Sequence, residues 1–91
     1  MADLERVRAK IREIAGGNRK NVSIDDIRWV VVRLGINGYE VNERKTIHQM
    51  LFRVGHVRFG VCVHNPVNRH VKCCYVDEFV RAMIDLDLYE D

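Results

Sequence analysis

Four histidines, His48, His56, His64 and His70, fall inside one stretch of the chain, Arg44 to Lys72 (RKTIHQMLFRVGHVRFGVCVHNPVNRHVK). The stretch also holds six of the fifteen Lys and Arg residues, namely Arg44, Lys45, Arg53, Arg58, Arg69 and Lys72, and no Asp or Glu. The other 62 residues carry nine basic and thirteen acidic side chains, so the net charge of +2 conceals a cationic segment in an acidic background. Histidines among cations are suited to cutting RNA without a metal. The RNA's own 2′-OH attacks the adjacent phosphorus. The protein then supplies a base near neutral pKa, an acid for the leaving oxygen, and positive charge for the developing phosphorane. Histidine, with an unperturbed pKa of about 6.5, can fill either proton role, and Arg and Lys supply the charge. Nearby cations also lower a histidine's pKa and so favour its neutral, basic form. A local positive field interleaved with apolar residues points to a small sheet presenting a cationic face to a polyanion, with RNA as the first choice.

The elements that must position these groups follow from periodicity. Leu4, Val7, Ile11 and Ile14 recur at three- and four-residue spacing with charges between them, predicting an amphipathic helix stopped by Gly16-Gly17. Arg19 and Lys20, in the loop that follows, can add to the basic surface. Ser23 with Asp25 and Asp26 is a helix-start signal. Ile24, Ile27, Val30, Val31 and Leu34 form the buried stripe behind it, with Gly35 as the expected stop and Trp29 at the rim of the core. Asn37-Gly38 supplies a turn before a first strand, Tyr39 to Arg44. A second strand, Ile47 to Val54, puts His48, Met50, Phe52 and Val54 on one side and Gln49, Leu51 and Arg53 on the other. Gly55-His56 is a two-residue hairpin, and the third strand turns Val57, Phe59, Val61 and Val63 inward and Arg58, Gly60, Cys62 and His64 outward. After the loop at Asn65-Pro66, a last helix from about Cys74 to Leu88 buries Val76, Phe79, Val80, Met83 and either Leu86 or Leu88. The expectation is an α+β domain of order ααβββα, a three-stranded antiparallel sheet with its helices on one face.

Ninety-one residues, 47% hydrophobic and 31% charged, suit one globular core. No apolar run reaches the roughly 20 residues of a membrane span, and the charged N-terminus lacks a secretory apolar region, so the cytoplasm is the expected compartment. Three cysteines, an odd number, fit a reducing environment and read as small buried hydrophobes. Cys62-x-His64 followed by His70 and Cys73 matches no common zinc spacing, and no metal is expected. Nothing has the form of a phosphate-cradling glycine loop or a Ser-His-Asp arrangement, and no small-molecule cofactor is expected. His56 and His70 read as solvated turn residues.

At KTIHQMLFR, followed by VCVHN and by a helix opened by VKCCYV, the chain resembles the HicA toxin family. More closely it is similar to a subgroup with an extra N-terminal helix, whose entry KNVSIDDIRWVVVRLGINGYEV matches. Lys45-Thr46-Ile47-His48 stands where the family carries Lys-Gly-Ser-His, and Cys62-Val63-His64-Asn65 where it carries Pro-x-His-Asn. The resemblance implies that residues 1–91 form one HicA-like domain, similar to the double-stranded-RNA-binding fold. It also implies an mRNA interferase, the toxin of a toxin-antitoxin pair whose HicB-type partner covers the active face. The family's catalytic histidine carries over to His48. The expected site has His48 as general base, Arg44 and Lys45 on the phosphate, and Arg53 and Arg58 guiding the RNA backbone. His64 serves as the acid or in positioning, and Arg69 and Lys72 complete the cationic set. Gly-Ser has become Thr46-Ile47 and the proline has become Cys62, which keeps two other readings open. One is a non-catalytic RNA-binding module on the same fold; the other is a protein-interaction domain docking an antitoxin-like partner.

Overall fold

The computed structural model describes residues 2–16, 22–46, 49–62, 71 and 73–90. Its element order is α1 (Ala2–Gly16), α2 (Ile24–Ile36), β1 (Val41–Lys45), β2 (Gln49–Val54), β3 (Val57–Cys62) and α3 (Cys73–Asp85). The sheet is antiparallel with order β1-β2-β3. The α2 helix packs on β1 and β2, α3 packs on β3, and α1 packs on both helices. This is the predicted ααβββα architecture, with one face of the sheet covered by helices.

Local chemistry explains the boundaries. Ser23 caps α2: its hydroxyl accepts from the Asp26 N–H at 3.2 Å, and the Asp26 carboxylate accepts from the Ser23 N–H at 3.0 Å. Lys10 of α1 reaches the same carboxylate at 3.2 Å. Burial pushes the Asp26 pKa up, but the Ser23 N–H and the Lys10 ammonium outweigh it and hold the carboxyl below its usual range. At the other end the expectation is corrected. The helix runs through Gly35 to Ile36 and closes at Gly38, whose φ is +98°. The Gly38 N–H donates to the Gly35 carbonyl and the Tyr39 N–H to the Leu34 carbonyl, the two bonds of a left-handed helix-closing turn. Gly35 is needed for another reason: a Cβ there would lie 2.9 Å from Val41 Cγ2, so glycine lets β1 approach the helix.

The α3 helix ends one turn before the predicted Leu88. Asp87 takes φ +61° while its N–H donates to the Ile84 carbonyl, and the Leu88 N–H donates to the Met83 carbonyl. This is the same closing turn, with aspartate in place of glycine. It folds Leu88 back into the core, where it is buried.

Val7, Ile11, Ile27, Val30, Leu34, Val54, Val61, Val76, Phe79 and Met83 are fully shielded, and three phenylalanines form the centre. Phe52 stacks on Phe59 at 5.3 Å between ring centroids, and Phe79 meets Phe59 edge-on at 5.5 Å. Trp29 packs partly against this core with the Arg33 guanidinium 5.2 Å from its ring, a rim position as predicted. The cysteine reading needs correction: Cys74 is exposed and Cys62 half-buried. Cys74 falls off the stripe that Val76, Phe79 and Met83 bury, and Cys62 belongs to the outward-facing residues of β3.

Candidate nucleic-acid interface

The register of the sheet assigns each strand residue to a face. On the helix side run three cross-strand rows: Val41–Val54–Val57, Glu43–Phe52–Phe59 and Lys45–Met50–Val61. On the open side run Asn42–Arg53–Arg58, then Arg44–Leu51–Gly60, with Gln49 and Cys62 paired beyond them. The aromatic rings all point inward. The open face thus presents three guanidiniums around one half-exposed leucine, over a shallow depression of about 400 Å³.

The hydrogen-bond parity of the ladder fixes how close these groups stand. The Gly55 N–H donates to the Glu40 carbonyl at 2.7 Å, and the Thr46 N–H to the Gln49 carbonyl at 2.8 Å. Stepping inward by two residues from either bond makes Asn42–Arg53 and Arg44–Leu51 the hydrogen-bonded pairs of β1 and β2. Arg53 therefore spends its backbone groups on β1. Across to β3, the two-residue turn Gly55-His56 (φ +59° at the glycine) makes Val54–Val57 the bonded closing pair. Arg53–Arg58 is then a non-bonded pair, with Cα atoms about 4.5 Å apart and side chains at their closest cross-strand approach. Two like charges sit where a sheet tolerates them least.

The counter-charge for them is thin. Arg53 reaches the exposed Glu40 carboxylate at 3.5 Å through Nη2, and its buried Nε has no hydrogen-bond partner. Among the described residues, Arg44, Lys45 and Arg58 make no ion pair. Glu43 points to the helix side and is held by Arg28 of α2 at 2.9 Å. The carboxylate nearest the middle of β1 is thereby turned away from the open face.

The predicted site residues divide accordingly. Arg44, Arg53 and Arg58 share the open face, whereas Lys45 lies on the helix side of β1, exposed at the edge of the sheet. The side chains of Arg44 and Lys45 therefore leave opposite faces of one strand. His48, His64, Arg69 and Lys72 lie outside the described residues, as do Arg19, Lys20 and His70. The residues on either side of Ile47 and His48 are described. Thr46 and Gln49 close the β1–β2 ladder, and the Thr46 hydroxyl donates to the Gln49 carbonyl at 3.2 Å and accepts from its N–H at 3.1 Å. Ile47 and His48, the two residues between them in the chain, lie outside the described residues, and β2 is described from Gln49. His56 is exposed at the β2–β3 turn, as expected.

Sequence reasoning missed Tyr75. Its phenol hydrogen-bonds Cys62, across from Gln49, and the electrostatic influence of Cys62, followed by burial and by Cys74, raises its pKa above the usual phenol range. The adjacent CCYV opening of α3 was the available signal, but only the fold brings it to Cys62. Among the described residues, no three His, Cys, Asp or Glu side chains converge as metal ligands would. No described helix is long and apolar enough to cross a membrane.

Comparison of the chain with protein-family models, curated proteins and solved structures finds no match.

Proposed function

We propose that this chain binds RNA on the open face of its sheet and cleaves it without a metal, as a HicA-like mRNA interferase acting in the cytoplasm. The observation that supports the reading is the set of three guanidiniums, Arg44, Arg53 and Arg58, on an open face whose rows lead to the Thr46–Gln49 closure adjoining His48. In the proposed mechanism His48 takes the proton from the attacking 2′-OH, and Arg44 neutralises the phosphorane from the open side. Lys45 supports the charge from the strand's other side. His64 protonates the leaving oxygen, while Arg53, Arg58, Arg69 and Lys72 hold the backbone. A HicB-type antitoxin is the proposed protein partner, covering this face.

The experiment is an RNA affinity titration against salt. A polyanion site loses affinity with a log–log slope of about −0.7 per phosphate contacted on a single strand. Slopes of −2 or steeper agree with the reading; a flat response contradicts it and leaves protein docking. The non-catalytic reading keeps the slope but yields no cleavage. One observation favours a protein-docking role as well. Val32 and Ile36 of α2 are 54% and 68% exposed and border a depression beside Trp29, away from the sheet's open face.

A further inference from the structure

We infer that the open face holds two successive phosphates of one RNA strand, the first between Arg53 and Arg58 and the second at Arg44, so that the strand crosses β2 obliquely from the β3 side to β1 and toward the Thr46–Gln49 end. The inference rests on the RNA reading above and specifies where the strand lies.

Four observations carry it. The opposed Arg53–Arg58 pair is unfavourable in the free protein, and a phosphate between the two guanidiniums turns that repulsion into a shared, charge-assisted contact. Arg53 is lightly held: among the described residues its Nη2 meets a long contact of 3.5 Å to Glu40, whose side chain is 81% exposed. The Arg44 row lies two residues, about 7 Å, along from the Arg53 row, and Arg44 stands on β1, about 7 Å to the side of the midpoint between Arg53 on β2 and Arg58 on β3. The resulting backbone separation of about 10 Å is within the reach of long arginine side chains to successive phosphates of an extended strand. None of the described strand residues on the open face is aromatic, so these strands offer charge to a backbone and no stacking platform to bases. Leu51 adds to this. A Cβ on Gly60 would lie 3.1 Å from Leu51 Cδ2, so the glycine leaves room for the leucine against β3 and keeps the floor between the arginines low.

The test is fluorescence anisotropy with a labelled decauridylate, using wild type, Arg53→Ala, Arg58→Ala, Glu40→Gln and Glu90→Gln, each checked for folding by circular dichroism. Arg53→Ala and Arg58→Ala should each weaken binding about tenfold and reduce the salt slope by about 0.7, one phosphate contact. Glu40→Gln should tighten binding severalfold, because Glu40 competes with phosphate for Arg53. Glu90→Gln, the same charge change at an exposed residue near the C-terminus, should do so much less. If wild type binds and the arginine variants keep its slope, the path across β2 is overturned while the RNA reading stands. Equal effects of Glu40→Gln and Glu90→Gln would remove Arg53 as a phosphate ligand. Absence of binding by wild type overturns both.

Discussion

Replacing Arg58 by threonine should make the free protein more stable while making it worse at binding RNA. Arg58 faces Arg53 in a non-hydrogen-bonded cross-strand pair, the closest side-chain placement in an antiparallel ladder. Like charges there cost roughly 0.2–1 kcal/mol, and threonine also suits a strand better than arginine. Arg53 keeps some relief from Glu40, and both arginines have water access, so about 0.5 kcal/mol is a reasonable net gain. For a domain of this size that raises Tm by about 2–4 °C. The gain has an electrostatic signature. It should be largest at low ionic strength and shrink at 1 M salt, where the Debye length is about 3 Å. Thermal melts by circular dichroism, run at low and high salt, provide the assay. Added oligouridylate should raise the wild-type Tm by mass action and raise that of Arg58→Thr less. A lower Tm for Arg58→Thr at both salts would refute the reasoning, because it would mean that the arginine pair supports the fold by packing and is not held against a cost for binding.

Three further perturbations test the scaffold. Gly35→Ala gains about 1 kcal/mol of helix propensity but sets a Cβ 2.9 Å from the stiff Val41 side chain. Overpacking of about 1–3 kcal/mol should leave it destabilised; in a Val41→Ala background the same change should stabilise, read as coupling in a double-mutant cycle. Asp26→Asn should cost about 1 kcal/mol at neutral pH by weakening the α2 cap. Because the folded Asp26 pKa lies below its unfolded value, its contribution is complete above about pH 4 and is lost as the pH falls through the lower folded value. The urea midpoints of variant and wild type should therefore converge in acid. Asp87→Gly, at a φ of +61°, should stabilise by about 0.5–1 kcal/mol, seen as a raised urea midpoint at constant slope.

The elements were legible wherever one residue pattern allowed one structure. Ser23 with Asp26 announced α2, and the alternation from Met50 to Val61 placed Arg53 and Arg58 outward before any coordinates. What could not be read was three-dimensional closure. Gly35 looks like a helix stop in sequence, yet its role is to admit Val41, which only the β1–α2 packing reveals. Asp87 ends α3 in a conformation usually given to glycine, so no sequence signal marked that boundary. The site was legible as a charge pattern. The separation of Arg44 from Lys45 required the strand to be located, and the severity of the Arg53–Arg58 approach required the hydrogen-bond parity. Tyr75 reaches Cys62 only because α3 packs along β3. No periodicity in the chain encodes that contact.

The proposed chemistry is metal-independent RNA cleavage by His48. Single-stranded RNA incubated with the folded wild-type protein and with His48→Ala in EDTA, with the product ends identified, tests it most directly. Wild type should yield fragments ending in 2′,3′-cyclic phosphate and His48→Ala none, with the variant still binding RNA. Undiminished cleavage by His48→Ala, or intact RNA with wild type, would contradict it.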